Sequence, residues 1–160
     1  QSYDLFTPLQ LANYIATLVG GGQHYEAHLL KNVKSYDNSS VIYAYDKAPL
    51  NTVEMSDSTV QAVKEGMHNL TTGSLSYYFS NCVVSAGAKT GTAETGIANT
   101  NNGVFVCFAP YDDPQIAVAV VIEKGGSGAA LASTAVDIVN SYFSQEEIGA
   151  VVIGENTLLK

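Results

Sequence analysis

The first amphipathic pattern along the chain predicts a helix that begins near Thr7. Thr7 is a favourable N-cap, Pro8 fits the first helical position, and Gln10 completes a capping box with Thr7. The apolar residues that follow have helical spacing: Leu11, Ala12, Ile15, Ala16, Leu18 and Val19. The glycines at 20–22 end this helix because they favour backbone conformations outside it.

Two further segments have the same helical spacing. One begins at Ser56, ends before Gly73, and has four apolar positions on one face: Val60, Val63, Met67 and Leu70. The other follows the glycine-rich segment 125–128, and its predicted apolar face consists of Leu131, Ala135, Ile138, Val139 and Tyr142. Helices with one apolar face must pack it against another layer of the fold.

Strand patterns lie between these helices. Runs at 28–36 and 41–45 flank the turn residues 37–39, which predicts a hairpin, whereas 73–81 has no regular pattern. The segment 82–94 is rich in small residues and resembles a strand, and a polar loop, 95–102, follows it. The strong strands 104–108 and 116–122 flank the turn 112–114 and should pair antiparallel.

These patterns together predict one α+β domain rather than two. We expect an antiparallel sheet of at least three strands, backed by amphipathic helices, over residues 1–143. Residues 144–160 contain an acidic stretch and a short apolar run at 151–153, and we expect them to form a peripheral C-terminal tail.

Composition and charge narrow the classes of partner. The 160 residues carry 7 Lys and Arg against 15 Asp and Glu, a formal net charge of -8, so nucleic acid is not an expected partner. No apolar run is long enough for a membrane span, and residues 1–4 have no signal-peptide pattern. A chain that starts at Gln1 and enters a helix almost at once is expected to be a piece of a longer protein.

The histidines and cysteines indicate no metal site. His24 and His28 have the i, i+4 spacing of zinc ligands on a helix, but the glycines before them argue against a helix, so we expect surface or strand-edge residues. His68 is predicted to be exposed on the second helix. Cys82 and Cys107 lack ligand spacing; buried free thiols are the simpler prediction, and the spacing leaves a disulfide between them open. No metal or other cofactor is expected.

The segment 85–94 is the strongest candidate for chemistry. Its small residues leave a strand with little side-chain bulk, which suits close approach by a ligand or another backbone. Alternation places Lys89 and Gly91 on one face and Thr90 and Thr92 on the other. A cation and two hydroxyls on such a strand could hold a carboxylate and an extended peptide by β-augmentation.

These residues carry a resemblance to a known family. The sequence Lys89-Thr90-Gly91-Thr92 resembles the K-T-G motif of penicillin-binding proteins and serine β-lactamases. The segment 6–12 resembles the TPLQLA helix of class B penicillin-binding transpeptidases, and 105–110 and 113–121 are similar to that family's paired strands. The order and spacing agree up to about Phe143, and the resemblance implies the penicillin-binding and β-lactamase-like transpeptidase fold.

The resemblance also implies a function for the longer protein. The family crosslinks peptidoglycan through a serine acyl-enzyme formed on a stem peptide, and β-lactams acylate the same serine. Lys89 would then attract the substrate's terminal carboxylate and support proton transfer, while the hydroxyls of Thr90 and Thr92 would bind that carboxylate. The backbone N–H of Thr92 would be an oxyanion donor. Gly91 would keep the strand open to the peptide.

Two motifs that the family requires are missing from this chain. No serine has a lysine three positions later, and no S-x-N sequence occurs. The family places both motifs before the TPLQLA helix, so we expect them upstream of Gln1 and predict that this chain alone is inactive. The longer protein is expected to be membrane-anchored on the outer face of a bacterial cytoplasmic membrane, and this chain itself to be soluble. Apolar surface left by the missing part makes self-association an expectation.

Two other functions are compatible with the same residues. A serine β-lactamase or penicillin-sensing receptor also has a K-T-G strand, although the TPLQLA segment argues against both. A non-catalytic module could instead use Lys89 to Thr92 to hold peptides. The sequence upstream of Gln1 would discriminate: S-x-x-K and S-x-N there would establish an enzyme, and their absence would leave the binding module.

Overall fold

A three-stranded antiparallel sheet carries helices on both of its faces. The computed structural model describes residues 5–46, 48–97 and 100–149. The helices are α1 (Pro8–Val19), α2 (Asp57–Thr72), α3 (Ser76–Phe79) and α4 (Ala132–Gly149), and a 3-10 turn (Gly128–Leu131) precedes α4. The strands are β1 (Gln23–His24), β2 (Asn32–Lys34), β3 (Val41–Ala44), β4 (Asn51–Thr52), β5 (Gly87–Ala93), β6 (Asn102–Ala109) and β7 (Ile116–Ile122).

The order β5-β6-β7 makes β6 the central strand of the main sheet. Alternation along β6 directs Phe105 and Cys107 to one face, where they pack with residues of α4; we call this the α4 face. It directs Val106 and Phe108 to the other, the α1 face, where they pack with residues of α1 and α2. Phe105, Cys107 and Phe108 are fully buried, so this strand is the centre of both parts of the hydrophobic core.

The predicted helix starts are confirmed. Gln10 N–H donates to the Thr7 hydroxyl at 3.2 Å and Thr7 N–H donates to the Gln10 side-chain oxygen at 2.8 Å, which completes the capping box. Ser56 caps α2, and Gly73 follows its last residue. Ser127 caps the 3-10 turn, so α4 is reached through one tighter turn rather than directly from the glycines.

The predicted hairpin and the predicted paired strands are also present. Strands β2 and β3 pair antiparallel around residues 37–39, and β6 pairs with β7 across the turn at 112–114. Asp37 holds the hairpin turn by accepting hydrogen bonds from Ser35 and Ser39, which lower the pKa of its carboxyl from 3.8 to about 2. All seven residues of β2 and β3 are exposed, so the hairpin stands away from the core.

Two of the predicted segments differ in the structure. The irregular segment 73–81 contains α3, which packs against both α2 and α4. Strand β5 begins only at Gly87, because the residues before it are tied to α4: Val83 N–H donates to the Asn140 side-chain oxygen, and the Asn140 amide donates to the Asn81 carbonyl, both at 2.9 Å.

Not every residue predicted on the apolar faces of α2 and α4 is buried. Val63 and Ile138 were expected on apolar faces, yet each is 40% exposed. Thr71 in α2 and Val136 in α4, which were not expected on these faces, are buried instead. The reason is geometric: each helix touches the sheet along one line, and residues at the edge of its apolar stripe turn toward solvent.

Helix α4 continues through Ser144 to Gly149, so the position where we predicted a tail to begin lies inside a helix. The apolar run at 151–153 lies outside the described residues. Within the described residues, no helix combines the length and apolar character needed to cross a membrane.

Candidate functional site

Strand β5 lies at one edge of the main sheet and contains every residue of the K-T-G-T segment. It pairs with β6 without a register shift: Lys89 opposes Val106, Thr90 opposes Phe105, and Thr92 opposes Gly103. In a regular edge strand, alternate residues direct their backbone N–H and C=O groups away from the neighbouring strand. The motif is therefore placed on a backbone edge that a peptide can approach.

The regular register confirms the predicted alternation of side chains. Thr90 shares the α4 face with its partner Phe105, and Lys89 shares the α1 face with its partner Val106. The Lys89 side chain nevertheless returns to the strand edge, because its ammonium donates to the Thr90 carbonyl oxygen at 2.6 Å. The Lys89 ammonium therefore lies against the strand backbone instead of extending over the α1 face.

The base of β5 is held by α2. The carbonyl of Ala86 accepts hydrogen bonds from the Nδ1–H of His68 at 2.9 Å and from the Thr71 hydroxyl at 2.7 Å. Thr71 is 3% exposed, so this bond satisfies a polar group inside the core. The motif strand is thus connected to a long helix just before the first motif residue.

His68 was predicted to be exposed, and this is wrong. It is half-buried, and its ring stacks on Tyr111 with the ring centroids 4.3 Å apart. Tyr111 N–H in turn donates to the Ser85 carbonyl at 3.0 Å. Thr71 lies four residues after Met67 and therefore on the same helix face, which is the one sequence signal that could have placed this end of α2 against β5.

The two cysteines are free thiols and do not form a disulfide. Cys107 is fully buried opposite Ala88, while Cys82 is half-buried on the same side of the sheet. Burial raises the pKa of the Cys107 thiol from 9.0 to about 12 and also raises the pKa of Cys82. Neither group has the character of a reactive thiolate, so both belong to the core.

The histidine pair near the N-terminus does not occupy one helix face. His24 lies in β1, and His28 lies in the following loop, where its Nδ1–H donates to the Leu30 carbonyl at 2.9 Å and its ring stacks on Tyr45. Among the described residues, no three His, Cys, Asp or Glu side chains form a group that could hold a metal ion.

Comparison with known families finds one that matches most of the chain. Residues 1–142 match the model described as the penicillin binding protein transpeptidase domain. Penicillin-binding protein 2A of Bacillus subtilis is 30% identical over 99% of this chain, and penicillin-binding protein 2B of Streptococcus pneumoniae is 33% identical over 88% of it. The chain spans only 23% of the length of each of these relatives.

Solved structures give the same result for the fold. Penicillin-binding protein 2B of Streptococcus pneumoniae strain R6 superposes with a TM-score of 0.76 at 30% identity, covering 88% of this chain and 25% of that one. Penicillin-binding protein A of Mycobacterium tuberculosis, solved as an imipenem acyl-enzyme complex, superposes with a TM-score of 0.66 at 26% identity. That match covers 87% of this chain and 32% of the mycobacterial chain.

Proposed function

Because this chain belongs to the penicillin-binding protein transpeptidase domain family, as a class B member, we propose that β5 forms one wall of the acyl-transfer site of a longer D,D-transpeptidase. The observation that carries the proposal is the edge position of Lys89 to Thr92 in a sheet that superposes on penicillin-binding proteins. The reaction is peptidoglycan crosslinking through a serine acyl-enzyme, and the serine belongs to a part of the protein outside this chain.

The chemistry divides into two acyl transfers. The serine oxygen attacks the carbonyl carbon of the D-Ala-D-Ala bond of a stem peptide, and the terminal D-Ala leaves with its amine reprotonated. The amine of a neighbouring peptidoglycan strand then attacks the ester carbonyl and releases the serine. A β-lactam reacts in the first step through the amide of its strained ring. The amine that is released stays attached to the acyl group, so it does not leave the site as D-Ala does.

Lys89 supplies positive charge for the carboxylate at the end of the stem peptide. Its ammonium already lies at the open edge of β5, where it donates to the Thr90 carbonyl at 2.6 Å. The hydroxyls of Thr90 and Thr92 add donors to the same carboxylate in this proposal, and a hydrogen bond to a charged group is stronger than one between neutral groups.

The backbone of Thr92 supplies one donor to the oxyanion. The contact between Lys89 and the Thr90 carbonyl supports an outward direction for that carbonyl, and Thr92, two residues later, has the same orientation in a regular strand. Its N–H then points at the groove, where loss of such a donor typically reduces the rate by about 100- to 1000-fold. Gly91 between them leaves the edge free of side-chain bulk.

The location and ligands of the longer protein, and the self-association of the isolated chain, are part of the same proposal. We place its transpeptidase domain on the outer face of a bacterial cytoplasmic membrane, held by an anchor outside this chain. Stem peptides and β-lactams bind only when the missing part of the domain is present. The apolar surface that this part would cover is then available for two copies of the isolated chain to associate.

Substitutions on β5 test the proposed roles in the longer protein. We expect Lys89→Ala and Thr92→Val each to slow acylation by a fluorescent penicillin by about 10- to 100-fold, because each removes a charge-assisted hydrogen bond. Lys34→Ala and Thr52→Val, on exposed positions of β2 and β4, are the matched controls and should acylate normally. Unchanged acylation in both β5 variants would refute the roles.

The isolated 160-residue chain provides a second test. It contains no S-x-x-K sequence, so we expect no covalent adduct when it is incubated with benzylpenicillin and measured by intact-mass spectrometry. The longer protein is the positive control and should gain the mass of one penicillin. An adduct on the 160-residue chain would show that a nucleophile exists within it, contrary to the proposal.

A further inference from the structure

The segment before α4 is tied to the ends of β5 and β6. In this segment, which we call the anchor turn (residues 124–128), Lys124 N–H donates to the Asn102 side-chain oxygen and Gly126 N–H donates to the Asn101 carbonyl, both at 2.9 Å. The third bond is to the motif: Gly128 N–H donates to the Thr92 hydroxyl oxygen at 3.3 Å. The anchor turn therefore connects α4 directly to the last residue of the K-T-G-T segment.

Gly128 lies so close to the sheet that a side chain there would push the anchor turn away from the strands. A Cβ at position 128 would overlap the backbone oxygens of Gly91 and Val104 and would lie 2.9 Å from the Gly91 nitrogen. These neighbours are main-chain atoms of paired strands and cannot rotate away. The close contact is what brings the Gly128 N–H within reach of the Thr92 hydroxyl.

The residue opposite Thr92 on β6 also has no side chain. Gly103 opposes Thr92 across the β5–β6 pair, and a Cβ at Gly103 would lie 3.2 Å from Leu131 Cδ1 and 3.5 Å from the Ser127 carbonyl oxygen. The absence of a side chain at 103 therefore allows the 3-10 turn to lie directly on the α4 face beside Thr92. Gly103 in the strand and Gly128 in the anchor turn together allow this close packing.

We infer that Gly128 is a positioning residue that orients the Thr92 hydroxyl for substrate binding, an inference that rests on the function proposed above. A threonine hydroxyl has one proton to donate and two lone pairs. The Gly128 N–H occupies one lone pair, which favours one side-chain rotamer and directs the hydroxyl proton away from the anchor turn. Thr92 is exposed, so this proton is presented to a carboxylate in the groove.

The contact itself is tested by NMR on the 160-residue chain labelled with ¹⁵N-glycine, which contains 14 glycines. We expect Thr92→Val to shift the Gly128 amide proton upfield and accelerate its hydrogen exchange at least threefold, whereas Thr92→Ser, which keeps the oxygen, should restore both. The amide of Gly66 in α2 is the internal control and should not change. An unchanged Gly128 amide in Thr92→Val would overturn the inference, whatever the enzymatic role of Thr92.

The consequence for catalysis is tested by a double-mutant cycle in the longer protein. We expect Gly128→Ala to slow acylation by a fluorescent penicillin by about fivefold or more. The paired strands cannot give way to the new Cβ, so the anchor turn must move away from the sheet, which breaks the hydrogen bond to Thr92. In a Thr92→Val background the same change should slow acylation less than about twofold, because the group on which Gly128 acts is gone. Gly66→Ala is the control, because nothing lies within 4 Å of a Cβ there.

The outcomes separate this inference from the proposed function. An equal effect of Gly128→Ala in both backgrounds would mean a general structural role and would overturn the inference alone. No effect of Thr92→Val on acylation would instead refute the role proposed for Thr92, while the NMR comparison would still report on the Gly128 contact. If Gly128→Ala does not fold, the comparison of Thr92→Ser with Thr92→Val decides the inference.

Discussion

At the scale of single residues, burial determines the chemistry of Cys107. The thiol lies on the central strand between Ala88 and Val118, fully buried, and its pKa is raised to about 12 because a thiolate there would lose its hydration. In the unfolded chain the same thiol ionises near pH 9. Folding therefore favours the protonated form, and the stability associated with it is present below pH 9 and is lost as the pH rises toward 12.

This difference in pKa at one residue predicts that the protein loses stability at alkaline pH. Above pH 9 the free energy of unfolding should fall by up to about 1.4 kcal/mol per pH unit from this thiol alone. Urea titrations between pH 8 and 10.5 on the wild type and on Cys107→Val would measure it. Val118→Ala, at the neighbouring position of β7, is the control, because it removes no ionisable group. Parallel pH profiles for the wild type and Cys107→Val would contradict the prediction.

At the scale of elements, local chemistry explains where each helix begins. The capping box at Thr7 satisfies backbone donors that the first turn of α1 leaves without partners inside the helix. The same helix places Ile15 and Leu18 in the core against β6 and β7. The capping box therefore determines where α1 starts, and the buried residues Ile15 and Leu18 hold the helix on the sheet.

The cap predicts a measurable change in stability. Thr7→Ala should lower the free energy of unfolding by about 1 kcal/mol, because Gln10 N–H loses its acceptor. Thr7→Ser keeps the hydroxyl and should lose less than half of that amount. Chemical denaturation followed by circular dichroism is the measurement, and equal stabilities for the Ala and Ser variants would show that the cap contributes little.

At the scale of the whole molecule, many exposed apolar side chains lie in two regions, one around α1 and one at residues 25–53, which includes the β2–β3 hairpin. Leu5, Phe6, Leu9 and Tyr14 are each more than 60% exposed at the start of α1, where a groove of about 450 Å³ lies beside Phe6 and Tyr14. Exposed apolar patches of this kind mark surfaces that another chain or segment covers. The chain spans 23% of the length of its Bacillus relative, which is consistent with another part of a longer protein covering this patch.

The same patch predicts self-association of the 160-residue chain. Sedimentation velocity should show an average mass that rises with protein concentration, because two copies can bury the patch against each other. Leu9→Glu should shift the chain toward monomer, whereas Ile97→Glu, at an exposed position after β5, should not. A monomer at every concentration, or an equal effect of both variants, would refute association through this patch.

Much of the fold was predictable because its signals are local. Capping residues, turn residues and the alternation of side chains act within a few positions of each other, and they placed α1, α2, the β2–β3 hairpin and the β6–β7 pair. The K-T-G-T segment was recognisable for the same reason. The roles assigned to its residues stay predictions until the substitutions above are measured.

The sequence by itself determined the longer helices and strands, the α+β class and the family, because these depend on periodicity, short-range chemistry and a contiguous motif. Only the tertiary structure decided which residues support the motif: His68 and Thr71 at the base of β5, and Gly128 beside Thr92. These contacts join residues 15 to 36 positions apart, and no local pattern in the sequence identifies both partners of such a contact. They arise because the packed helices bring distant donors within a hydrogen bond of one edge strand.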